Sequence, residues 1–291
     1  MRIDDVAHPL LPLPSGRERA ALLKLLVDED GAVYQTIRAR ILSYGPEVGE
    51  WLREHRLSDD PRLRGRVTEI LDHFGRRAAD SRFLGFCLRH GENLDLEEGC
   101  WLLARTRYPE INVVAYSALI DEFAETLREK VSLSDEPQAV IATINELLFG
   151  RLGFVGDEKN YYDPENSYLN RVLDRRTGNP LLMCTIYLGV ARRLRLPIAG
   201  IGLPGHFLCR YQTPVRELYI DAFGGGRVLT KVDCVKYLQQ IGYEFHEAFL
   251  VPASPRRMLL RMCSNLQQVY TRLNEKELAT AMQGYIVALT K

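Results

Sequence analysis

The spacing of apolar residues changes part-way along this chain, and that change restricts the fold more than any other feature. Up to about residue 150, apolar residues recur every three or four positions, as in Val33, Ile37 and Ile41, which is the period of helices buried on one face. Between 198 and 223 come three short segments, IAGIGL, HFLCRYQ and ELYIDAF, bounded by turn residues such as Pro204-Gly205. Helices followed by antiparallel strands predict an α+β fold.

Patterns along the chain divide it into four parts. Residues 1–16 are rich in proline and predict an irregular arm. Residues 17–132 predict helices in series, an N-terminal array that loosely resembles HEAT repeats, although a plain helical bundle fits nearly as well. Residues 133–250 combine an apolar helix with the strand segments and predict a central α+β core. Residues 251–291 predict a C-terminal helical hairpin with the length of one tetratricopeptide unit, or an ordinary hairpin.

Composition restricts the partners and the location that can be expected. Lys plus Arg number 38 and Asp plus Glu number 38, so the formal net charge is zero and no global attraction to nucleic acid or an anionic membrane is expected. No apolar run reaches about 18 residues, and the first residues lack the pattern of a signal peptide. We therefore expect a cytoplasmic protein that binds neither nucleic acid nor membrane.

The six cysteines predict neither disulfides nor a metal site. No two are spaced as CxxC, none pairs with a nearby His at zinc-like spacing, and each lies among apolar residues. The Gly224-Gly225-Gly226 run precedes no phosphate-binding helix pattern, so it predicts a turn. We therefore predict reduced thiols and no metal or other cofactor.

A histidine and an aspartate stand in the largely apolar strand segments. His206 begins one segment after the Pro204-Gly205 turn, and Asp221 lies 15 residues later in the next. An unpaired buried charge is unfavourable, so we expect the two side chains to meet across adjacent strands. The carboxylate would then orient the imidazole, as in a nucleophile–base–orienter triad. A purely structural hydrogen bond between the strands is the other interpretation.

Longer motifs surround this pair and indicate a family. The stretches NSYLNRVLDRRTGNP and GLPGHFLCRY, followed by YIDAFGGG, resemble the SirB-type family of transglutaminase-like proteins, and the similarity spans roughly residues 110–280. The resemblance implies a papain-type α+β core that carries Cys, His and Asp in that order.

The resemblance assigns two of the three site residues directly. His206 matches the family's histidine and Asp221 its aspartate. Gly178-Asn179-Pro180 occupies the Gly-x-Cys position, so proline stands where the nucleophile is expected. Cys184 lies four residues further, about 6 Å along the helix axis, and is the replacement candidate, although its apolar neighbours favour a core thiol. Cys209, two residues after His206 on one strand, is a weaker candidate.

The polar stretch before this helix has two interpretations. Asn166, Asn170, Asn179 and Pro180 either cap the helix and close a loop, or line a cleft for a peptide or small polar ligand. We predict a non-catalytic binding or scaffold protein on a degenerate transglutaminase-like core, with a protein or peptide partner. The alternative is a cysteine-dependent hydrolase or acyl transferase that uses Cys184, His206 and Asp221.

Overall fold

Residues 12–89, 91–92 and 94–291 are described by the computed structural model, so most of the predicted arm 1–16 lies outside them. The chain divides into two units, Met1–Ala79 and Asp80–Lys291. This division differs from the predicted boundary at residue 132. The reason is that Phe83, Trp101 and Phe123 are buried in the same hydrophobic core as the helix that begins at Pro180.

The first unit is helical. It contains α1 (Gly16–Leu26), α2 (Gly31–Leu42), α3 (Val48–Arg53), a 3-10 turn at Glu54–Leu57 and the first part of α4 (Pro61–Arg89). Fully buried apolar side chains from all four helices form its core, among them Leu26, Ile41, Leu52 and Ile70. The helices agree with the predicted helical region, and the comparison with HEAT repeats stays a prediction.

The second unit mixes helices with two small sheets, so the predicted combination of helix and sheet is confirmed. A 3-10 turn at Pro164–Ser167 precedes the site, and a single π-helical turn at Glu146–Arg151 extends α7. Its further helices are α5 (Leu96–Arg107), α6 (Val113–Arg128), α7 (Pro137–Asn145), α8 (Leu169–Arg175), α9 (Pro180–Arg193), α10 (Lys231–Gln240), α11 (Pro255–Arg272) and α12 (Lys276–Leu289).

Helix α9 is the centre of this unit. Ten of its 14 residues are buried, as expected of a helix that is apolar on every side. It packs against strand β4, and the apolar side chains of α5, α6, α11 and α12 belong to the same core.

The sheet next to α9 is an antiparallel meander. Its strands are β3 (Ile198–Leu203), β4 (His206–Gln212), β5 (Glu217–Asp221) and β6 (Arg227–Leu229), in that order, while β1 (Val155–Gly156) and β2 (Thr177–Gly178) form a separate parallel pair. Leu203 pairs with His206 across the two-residue turn, where Gly205 has φ of 71°, the left-handed region that favours glycine. The predicted third strand ends two residues early, at Asp221, and residues 227–229 add a fourth strand that the sequence did not indicate.

The C-terminal hairpin of α11 and α12 packs into this same core. Buried Arg256 donates to the carbonyl oxygens of Leu289, Ala288 and Cys87 at 2.8–3.0 Å, so it caps the ends of two helices. The hairpin is therefore built into the second unit. Its likeness to a tetratricopeptide unit stays a prediction.

Candidate functional site

His206 and Asp221 meet as the sequence predicted. The β3–β4 turn places His206 at the start of β4, and Asp221 ends the neighbouring strand β5. The imidazole Nε2 lies 2.9 Å from Oδ1 of Asp221. The carboxylate also accepts the Gly224 N–H at 3.0 Å, and its other oxygen lies 3.4 Å from the guanidinium of Arg227.

These partners keep the carboxyl group charged. Asp221 is 5% exposed. Burial raises its pKa, but His206, the Gly224 N–H and Arg227 outweigh burial and hold the pKa of Asp221 below its ordinary value. Since a carboxylate only accepts hydrogen bonds, Nε2 of His206 carries a hydrogen, and Nδ1 is the acceptor nitrogen of the neutral ring.

The start of α9 forms the wall beside His206. Asn179 is the N-cap residue: its side-chain oxygen accepts the Leu182 N–H at 3.0 Å, and its Nδ2 donates to the Ser167 hydroxyl at 2.8 Å. Pro180 occupies the first helical position, which lacks an intrahelical N–H partner in any case. This is the position at which the motif comparison expects the nucleophile.

Cys184 lies one turn further along α9, inside the core. Its side chain is fully buried, and its thiol donates to the Phe207 carbonyl oxygen at 3.4 Å. Burial, the neighbouring Cys209 and the charge of Asp221 raise the pKa of the Cys184 thiol well above its ordinary value. Cys209 is buried as well, with its sulfur 3.8 Å from the Cys184 carbonyl oxygen. Neither thiol forms a hydrogen bond with His206 in the part of the chain that the structure describes.

A cleft of about 580 Å³ opens above His206 and Pro180. Its lining combines the start of α9, the turn before β4, a tyrosine pair and one face of α11: Tyr161, Tyr162, Ser167, Asn179, Pro180, Leu181, Gly205, His206, Phe207, Arg261, Ser264, Asn265, Gln268 and Val269. Of the four residues predicted to line a cleft, Asn179 and Pro180 do so.

Asn166 and Asn170 do not line this cleft. Asn166 is fully buried, and its Nδ2 donates to Oδ2 of Asp157 at 3.1 Å and to the Asn160 carbonyl oxygen at 2.9 Å. Asn170 is 2% exposed, and its Oδ1 has no hydrogen-bond partner among the described residues. The hydrogen bonds of Asn166 to Asp157 and Asn160 hold a loop closed, and they give Asn166 no part in the cleft.

The α11 wall was not found from the sequence. Arg261, Ser264, Asn265 and Gln268 follow the spacing i, i+3, i+4 and i+7, which places them on one helix face. The signal was present: they fall between the buried apolar residues of α11 in the helical repeat. It could not be assigned to the cleft, because only tertiary packing brings α11 opposite α9.

A second groove, of about 590 Å³, is lined by paired charges. Arg192 contacts Asp95 at 2.8 Å, and Arg193 contacts Glu97 at 2.8 Å as well as Asp121. Arg192 and Arg193 therefore already have carboxylate partners, whereas Nε of Arg105 and Nε1 of Trp101, which also line this groove, have no hydrogen-bond partner among the described residues. Within the described residues, no group of three or more His, Cys, Asp or Glu side chains is arranged to hold a metal ion. No described helix has the length and apolar character of a membrane span.

Comparison with known proteins identifies the family. Residues 114–264 match the family described as the transglutaminase-like superfamily. A UPF0162 protein of Xylella fastidiosa is 36% identical over 204 residues, which cover 68% of this chain and 73% of that protein. A UPF0162 protein of Pseudomonas aeruginosa is 31% identical over 54% of this chain and 56% of its own length. Mouse F-box only protein 21 is 38% identical over 135 residues, 44% of this chain and 21% of that protein. No solved structure shows a significant match. The match over half of the chain and the Xylella relative together show that this chain belongs to the transglutaminase-like superfamily.

Proposed function

We propose that this protein binds a peptide, or another small polar ligand, noncovalently in the cleft above His206. One observation carries the proposal: Pro180 lines that cleft beside His206, while the candidate thiol of Cys184 is sealed beneath it. Proline has neither a nucleophilic atom nor an N–H group. A covalent acyl intermediate therefore has no evident starting group at this position.

The chemistry of the cleft suits a peptide. Nδ1 of His206 has no hydrogen-bond partner among the described residues, and as an acceptor it would take an N–H group such as a peptide amide. Tyr161 and Tyr162 add aromatic surface that is 39% and 50% exposed, and the side chains of Asn265 and Gln268 add both donors and acceptors. Ligand sites commonly combine such apolar surface with a few placed polar groups.

The wider assignment is part of the same proposal. The SirB-type motifs, a cytoplasmic location and a role as a binding or scaffold protein fit a core without a thiol at the cleft. The helical regions would offer surface for a protein partner, an argument from fold analogy.

A cysteine-dependent hydrolase or acyl transferase is the alternative. The 2.9 Å contact between His206 and Asp221 favours it, because this is the base and orienter of a triad. It would require Cys184 to leave its contact with the Phe207 carbonyl oxygen and reach the cleft as a thiolate. Burial and the nearby Asp221 charge oppose that ionisation.

Alkylation of Cys184 separates the two functions. We expect iodoacetamide to leave Cys184 unmodified between pH 6 and 9 until denaturant unfolds the protein, as read by mass spectrometry. Reaction in the native state with an apparent pKa below about 8.5, lost in His206→Ala but kept in His246→Ala, would establish a working thiol–imidazole pair instead. His246 is a suitable control because its ring contacts only Phe249 among the described aromatic rings.

Peptide selection tests binding directly. Peptides retained by the protein from a random heptapeptide library should lose most of their affinity for His206→Ala and keep it for His246→Ala. Retention that is equal in all three proteins would place binding outside the cleft and contradict the proposal.

A further inference from the structure

Arg261 is a positively charged residue that lines the cleft without an ion-pair partner among the described residues. It stands in the middle of α11, and it is the only Lys or Arg among the described residues that line the cleft, which include no Asp or Glu. Its guanidinium lies 5.5 Å from the centre of the Phe207 ring. It has no ion pair or hydrogen bond with the described residues.

Several other arginines of the same unit have carboxylate partners, although Arg105 and Arg176 each keep a buried nitrogen without a hydrogen-bond partner among the described residues. Arg171 contacts Glu165 at 3.1 Å, Arg175 contacts Asp163 at 2.8 Å, and Arg210 contacts Glu217 at 3.2 Å. Arg261 is half-buried without such a partner, and burial lowers its pKa below the ordinary value. A desolvated cation without a counter-ion is unfavourable in the free protein. The free-energy cost of partly burying the Arg261 guanidinium would be offset when a ligand supplies the negative charge.

The neighbouring groups indicate which anion fits. Asn265 lies one turn further on α11 and faces the same cleft, so its amide can donate beside the guanidinium. A planar guanidinium binds a carboxylate through two parallel N–H···O bonds. One cation with neutral amides balances a singly charged carboxylate, whereas a phosphate dianion would be left with excess charge.

We propose that Arg261 binds a carboxylate group of the ligand, either an acidic side chain or the C-terminal carboxylate of a peptide. The inference rests on the proposed function of the cleft. His206 would accept an amide N–H while Arg261 holds the carboxylate, so the cleft selects acidic or chain-terminal peptide segments.

Matched peptides test the charge requirement. One pair, Ala-Ala-Ala-Ala and its C-terminal amide, differs only in the terminal carboxylate. The other, acetyl-Ala-Asp-Ala-Ala-amide and its Asn form, differs only in the side chain. We expect the acidic member of at least one pair to bind about tenfold more tightly in an NMR titration, the size of one hydrogen bond to a charged group.

Three substitutions on α11 locate the effect. Arg261→Met keeps the apolar stem and should bind both members of each pair equally. Arg257→Met, on the same helix but outside the cleft, should keep the tenfold preference. Arg261→Lys should keep part of it, because it retains the charge but not the two parallel donors.

The outcomes separate this inference from the proposed function. One outcome is that the wild type binds the two members of each pair equally, with binding still lost in His206→Ala. That result would overturn the carboxylate assignment and leave the cleft as a peptide site. A preference that persists in Arg261→Met would also overturn it. If no probe shifts the resonances of His206 or Arg261 at millimolar concentration, both proposals fail.

Discussion

The two walls of the cleft use similar polar side chains in opposite ways. On the α9 and sheet wall, the amide of Asn179 has partners at both of its polar atoms, and Asp221 accepts hydrogen bonds from His206 and the Gly224 N–H. On the α11 wall, Arg261 and Asn265 face the same space without hydrogen bonds to the described residues. The first wall is held by its own contacts, whereas the second has bonding capacity left over.

This difference separates groups that build the fold from groups available to a ligand. A polar group that is buried and paired contributes to stability, and its loss leaves its partner unsatisfied. A polar group that is half-buried and unpaired contributes little or nothing to stability. Substitutions of the paired residues Asn179 and Asp221 should therefore mainly change unfolding, and those of Arg261 and Asn265 should mainly change binding. His206 is paired at Nε2 only, so its substitution should affect both.

The largest effect on stability is expected from Asn179→Ala. The change removes the cap of α9 and leaves the buried Ser167 hydroxyl without its donor, so the free energy of unfolding should fall by about 2–3 kcal/mol. The matched change Asn265→Ala, across the cleft, should cost less than about 0.5 kcal/mol. Urea unfolding of both variants measures the contrast. Similar losses in the two proteins would contradict the division between the walls.

Asp221→Asn should have an intermediate effect that depends on pH. The amide keeps an oxygen acceptor but loses the charge that attracts His206 and Arg227, which should cost about 1–2 kcal/mol at pH 7. In the native protein the pKa of Asp221 lies below its ordinary value of 3.8. The stabilisation that the charged Asp221 gives the fold is therefore complete above that ordinary value and is lost as the pH falls through the native pKa.

The pH dependence gives this prediction its test. The difference in unfolding free energy between wild type and Asp221→Asn should shrink as the pH falls below about 4. A difference that does not shrink below about pH 4 would contradict a native pKa of Asp221 below its unfolded value.

The smallest effect on stability is expected from Arg261→Met. The change removes an unpaired, half-buried charge and keeps the apolar stem over Phe207, so the unfolding free energy should stay the same or rise by up to about 1 kcal/mol. Thermal unfolding beside Arg257→Met measures it. A loss above about 1 kcal/mol would show that Arg261 stabilises the fold. That result would contradict the claim that the unpaired side chains of the α11 wall contribute little to stability.

Much of the region around the site could be predicted from the sequence. The three strand segments lie where their turn residues indicated, α9 begins at Pro180, and His206 and Asp221 meet across neighbouring strands. These features depend on local patterns: turn chemistry, helix capping and the pairing that two ionisable residues in apolar strands require.

Other features depended on contacts between distant segments. The boundary predicted at residue 132 differs from the division after Ala79, since helices from both sides of residue 132 share one core. Residues 227–229 pair with β5 although the sequence did not indicate a strand there, because an available strand edge outweighs the weak local preference of three residues. The burial of Asn166 follows from the loop that closes around it, which no spacing encodes.

The sequence alone determined the mixed fold, the helix start with proline in the nucleophile position, and the His206–Asp221 pair, because each arises from residues near in the chain or from adjacent strands. Only the tertiary structure decided that Cys184 lies beneath the cleft and that α11 forms its far wall. Arg261 is about 80 residues from Pro180 in the chain. The packing of two helices on one core, which depends on the shapes of many side chains at once, brings both to the same cleft.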